Sequence, residues 1–71
     1  MAPRYTITEL QAVLQLKSKY GRIDYAYPPN LTAEFYALTG KERSHGALYM
    51  VSWRLDAGYY DRRLGRKNPA A

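Results

Sequence analysis

The chain has no cysteine, a single histidine and only six carboxylates among its 71 residues. Without cysteine there are neither disulfides nor thiolate metal sites. One imidazole and six dispersed carboxylates make no zinc or calcium donor set, so neither a metal nor another cofactor is expected. No apolar run approaches the roughly 20 residues that cross a bilayer, and no membrane role is expected. The opening "MAPRYTITEL" has no apolar core ahead of its first polar residues, unlike a secretory signal, and the expected location is cytoplasmic. Gly21, Gly40, Gly46, Gly58 and Gly65 are scattered singly and form no phosphate-cradling loop. A nucleophile triad would have His45 as its only imidazole base, and no two carboxylates share a helical face at a telling spacing, so an enzyme is not expected.

What is present points to a folded binding protein. Apolar residues make up 46% of the chain and eight residues are tyrosine, too many for a disordered segment. The length allows one domain, residues 1–71, burying about 60% of the surface its unfolded chain exposes. Residues 65–71, "GRKNPAA", have no apolar residue beyond alanine and read as a mobile basic tail. Charge is uneven. Arg4, Lys17, Lys19 and Arg22 stand against Glu9, Asp24 and Glu34 in residues 1–40, a net of +1. Lys41, Arg43, Arg54, Arg62, Arg63, Arg66 and Lys67 stand against Glu42, Asp56 and Asp61 in the remainder, a net of +4. Basic charge gathered in one half suits a polyanionic partner, although a solvated basic tail has the same composition.

"TITE" at residues 6–9 has the form of a capping box. It opens a helix that sets Ile7, Leu10, Val13, Leu14 and Tyr20 on one face and stops at Gly21. Ile23, Tyr25 and Tyr27 then alternate as a short strand would, before Pro28 and Pro29 end it. A second, short helix runs from an Asn30 or Thr32 cap to Gly40, with Leu31, Phe35 and Leu38 inward. Residues 47–55 satisfy two patterns. As a helix they stripe Ala47, Leu48, Val51 and Leu55. As a strand they line up Tyr49, Val51, Trp53 and Leu55, with "DAG" closing a hairpin onto "YYDRRL".

This order of elements, with "LTG" closing a short helix, a polar turn, an amphipathic run, "LDAGYYDRR" and "GRKN", resembles the winged helix-turn-helix domains of bacterial and phage regulators. The resemblance implies a small α+β domain: helix, short strand, short helix, recognition helix and truncated basic wing. The alternative fold is a helix plus a β-hairpin. In the resemblance Ala33–Gly40 matches the second helix, Ser44–Ala57 the recognition helix, Tyr59 and Tyr60 the first wing strand, and Arg62–Asn68 the wing. Leu55 stands three residues before Gly58, where the family's usual spacing is four.

The function implied is binding of double-stranded DNA, as a transcriptional regulator or recombination accessory. Lys41, Arg43, Ser44, His45 and Tyr49 would be the N-terminal and outward residues of the recognition helix at the major groove, Arg43 and His45 donating to base edges and Ser44 and Lys41 holding phosphates. Arg62, Arg63, Arg66 and Lys67 would run along the phosphate backbone or into a minor groove. Each also has a plain structural reading: a helix cap for Ser44, an exposed turn residue for His45, a solvated tail for the arginines. Proteins of this kind commonly act as symmetric dimers, and the first helix or an outward Trp53 would serve as the contact. The eight tyrosines support a rival function. The chain would then be a phage- or plasmid-encoded inhibitor or adaptor that binds a host protein through Tyr25, Tyr27, Tyr49, Tyr59 or Tyr60.

Overall fold

Thr6 and Glu9 close the first helix as their spacing predicts. In the computed structural model, which describes residues 4–65, the Glu9 N–H donates to Thr6 Oγ1 at 3.1 Å and the Thr6 N–H donates to Glu9 Oε1 at 3.2 Å. Helix α1 runs Ile7–Tyr20 and ends at Gly21 in the left-handed region. Helix α2, Leu31–Thr39, ends at Gly40, where φ is +72°. Four residues later Ser44 caps α3, His45–Asp56. A last single turn, α4, spans Asp61–Leu64.

The core is one cluster at the meeting of α1, α2 and α3. Leu10, Val13 and Leu16 from α1 pack with Leu31 and Phe35 from α2 and Leu48, Val51 and Leu55 from α3. Ile23 from the linker and Tyr5 from ahead of α1 complete it, with Tyr60 and Leu64 lying partly over its edge. The buried face of α1 is turned away from the predicted one, toward Glu9, Ala12 and Leu16, and leaves Ile7 exposed. Glu9 is the reason. A carboxylate would ordinarily mark the solvent side, but this one is buried because Thr6 and Arg43 satisfy it. Leu38 shares the face of Leu31 and Phe35 but is 41% exposed, on the α1–α2 rim beside Gln15 and Lys19.

The expected α+β winged-helix fold is overturned, because the described residues form helices and no strand. So is the helix-plus-hairpin alternative, since residues 47–55 lie within α3. In both cases the backbone groups a strand would need are used locally. The Asp24 N–H donates to Tyr27 O at 2.8 Å, folding the linker back on itself where alternation suggested a strand. At the other end, the Tyr59 N–H donates to Arg54 O at 3.0 Å and the Gly58 N–H to Leu55 O at 3.2 Å. This pairing ends a helix around a left-handed glycine, here Gly58 at φ +86°. Tyr59 and Tyr60 are therefore turn residues, and Arg62 and Arg63 lie on α4 instead of a wing. The end of α3 matches the helical reading of "LDAG". The expected basic tail, apart from Gly65, lies outside the described residues.

Candidate nucleic-acid interface

Helix α3 presents four sides, set by its 100° step per residue. Leu48, Val51, Ser52 and Leu55 face the core. Gly46, Met50, Trp53 and Ala57 point outward, with Trp53 52% exposed. His45, Tyr49 and Asp56 meet the linker and the end of α1, while Arg54 lies near enough to Tyr5 for its charge to act there.

The residues expected to meet the major groove and its phosphates are mostly occupied within the fold. Arg43 Nε donates to Glu9 Oε2 at 2.8 Å, and its guanidinium lies 5.0 Å from the centre of the Tyr5 ring. Burial works to raise the Glu9 carboxyl, but the hydrogen bonds from Arg43 and Thr6 outweigh it and hold the group below the usual carboxylate range. Ser44 Oγ accepts from the Ala47 N–H at 3.1 Å, which is the cap its plain reading anticipates. His45 Nε2 donates to Asp24 O at 2.6 Å and helps hold the linker against α3. Tyr49 lies against Tyr25, ring centres 4.6 Å apart. Of the turn and recognition-helix set, Lys41 keeps an exposed ammonium, while its backbone N–H donates to Thr39 Oγ1.

Internal pairing sorts the charges. Lys17 pairs with Asp56, Lys19 with Glu34 at 2.6 Å, Arg22 with Asp24 at 2.7 Å, and Arg43 with Glu9. These pairs take up four of the six carboxylates. Among the described residues, Arg4, Lys41, Arg54, Arg62 and Arg63 form no ion pair. Tyr5, 7% exposed, has the charges of Arg43 and Arg54 and the Tyr60 hydroxyl all acting on its own hydroxyl. Arg4 precedes Tyr5, and Arg62 and Arg63 follow Tyr60 by two and three residues. Burial lifts the Tyr5 hydroxyl above its ordinary range, although Arg43 pulls the other way.

Arg62 and Arg63 thus lie on α4, two and three residues after Tyr60, and Lys41 in the turn before α3. Arg66 and Lys67 lie outside the described residues. Arg4 and Arg54 are not among the contact residues expected from the sequence. Arg54 was legible only once residues 45–56 were taken as helical, when it falls on the same side as Ala47. Among the described residues no three His, Cys, Asp or Glu side chains stand close enough to hold a metal ion, and no helix is long and apolar enough to cross a membrane. A surface hollow of about 430 Å³ beside Thr32, Tyr36 and Glu42 is open and borders the occupied Arg43. Comparison with protein-family models, with curated proteins and with solved structures gives no match to this chain.

Proposed function

We propose that the protein binds double-stranded DNA through its phosphates, using Arg4, Arg54, Arg62 and Arg63. The observation that carries this reading is the sorting of charge: the internal pairs use most of the carboxylates and leave these arginines unpaired. Guanidinium groups presented together suit phosphate oxygens, which give affinity without sequence information. With Arg43, Ser44, His45 and Tyr49 engaged inside the fold, α3 contributes little to base reading. A phosphate-led contact fits an accessory role in recombination or in organising DNA better than operator-specific regulation.

Exposed aromatic residues, Tyr25 at 80% and Tyr59 at 64%, favour the second reading, an inhibitor or adaptor that binds another protein. Fluorescence anisotropy of a labelled random duplex at low salt separates the two. On the DNA reading, Arg62→Glu/Arg63→Glu abolishes binding while Tyr25→Ala/Tyr59→Ala leaves it within twofold. A charge-swapped variant that binds as tightly as the wild type overturns the DNA reading.

A further inference from the structure

A separate surface remains on the outer side of α3. Gly46, Met50, Trp53 and Ala57 recur there at helical spacing with no charged residue among them, on a chain of net charge +5. Met50 is 43% exposed, and Tyr59 stands edge-on to Trp53 with ring centres 6.0 Å apart. Beside Trp53 is an open hollow of about 280 Å³, lined by Ile23, Tyr49 and Ser52 and by the Lys17–Asp56 and Arg22–Asp24 pairs. Contiguous exposed apolar surface on a small domain marks a contact surface.

We propose that this face joins two copies of the chain about a two-fold axis running beside Trp53. Charge decides between occupants. Arg54 lies on the Tyr5 flank of α3 and Arg62 and Arg63 lie on α4, so none of these unpaired arginines belongs to the outer face of α3 itself. The opposite flank carries two ion pairs, Arg22–Asp24 and Lys17–Asp56. That rim holds both signs in equal number. A two-fold contact presents the same patch to itself, and a neutral rim of mixed sign can match its own copy where a single-sign rim would repel. Shape agrees, because an aromatic knob and a hollow are adjacent on one patch. The axis lets each Trp53 cover the hollow of the other copy. A small domain gains stability from such burial, since its own core is thin.

Sedimentation equilibrium over a wide concentration range tests this, with emission from Trp53, the chain's single tryptophan, as a second readout. The expected result is a mass rising from one chain to two, with a blue shift of emission over the same range. Trp53→Glu and Met50→Glu should each weaken association at least about tenfold, the scale of a buried anchor residue. Their helical circular dichroism should stay unchanged, since both side chains are substantially exposed. Arg62→Ala/Arg63→Ala should dimerise like the wild type, which keeps this result independent of DNA binding. A single-chain mass at every concentration, or undiminished association of Trp53→Glu, overturns the proposal and leaves the face to a different protein.

Discussion

One oxygen of Glu9 closes the cap of α1 and the other holds Arg43 from the turn before α3, so a single buried carboxylate joins two distant parts of the chain. Glu9→Gln keeps the shape but removes the charge, leaving the Arg43 guanidinium without its counter-ion. We expect a loss of about 2–3 kcal/mol in urea unfolding, the scale for breaking a largely buried pair. The carboxyl also sets an acid limit. Its folded pKa lies below its unfolded value, so the unfolded state binds more protons as pH falls. Its stabilisation is complete above the unfolded value of about 4.3 and is lost as pH drops through the folded value. The thermal midpoint of the wild type should therefore fall in this acid range, and Glu9→Gln should show a shallower fall; equal acid slopes would contradict the assignment. Glu34, held low chiefly by Lys19 and also by the Tyr20 hydroxyl, adds a smaller fall in the same direction. Half of the Glu9 arrangement was legible in the sequence. Thr6 lies three residues away and local spacing reveals it, whereas Arg43 is 34 residues distant and only the fold brings it close.

At the scale of elements, what the sequence shows depends on whether a signal is local. Caps and glycine stops are local, and Thr6, Gly21, Gly40 and Ser44 all act as their positions suggest. A strand is not a local object, because its backbone groups must meet a neighbour. Ile23, Tyr25 and Tyr27 alternate, but only Ile23 is buried, and the tyrosines lie over Tyr49 and Tyr20. The same limit hid the end of α3. "DAG" fits a hairpin loop and a helix terminus equally well, and the Arg54 and Leu55 carbonyls decide for the terminus. Gly58 is therefore the residue on which the end of α3 turns. An added methyl would be strained at φ +86° and would also meet Asp61 Oδ2 at 3.1 Å. Gly58→Ala should cost about 1–2 kcal/mol in chemical denaturation. Removing the cap with Ser44→Ala should cost about 1 kcal/mol, with the loss confined to stability. A large effect of Ser44→Ala on duplex affinity at unchanged fold would instead place its hydroxyl on DNA.

For the whole molecule, composition indicated the right quantity but not its arrangement. The excess of cations in the second half is plain from the sequence, but the internal contacts of Arg43, Ser44, His45 and Tyr49, and the lack of an ion pair at Arg4 and Arg54, are not. Which cations remain available depends on which carboxylates they meet, and those meetings span the chain. On the proposed DNA reading, Arg62 and Arg63 lie on phosphates. The most direct test is the salt dependence of random-duplex affinity for the wild type and for Arg62→Ala/Arg63→Ala. Each phosphate contact contributes roughly 0.9 to the slope of log affinity against log salt. We predict steep weakening of the wild type with salt and a slope shallower by about two contacts in the variant. No binding at low salt, or the same slope in both proteins, would contradict it.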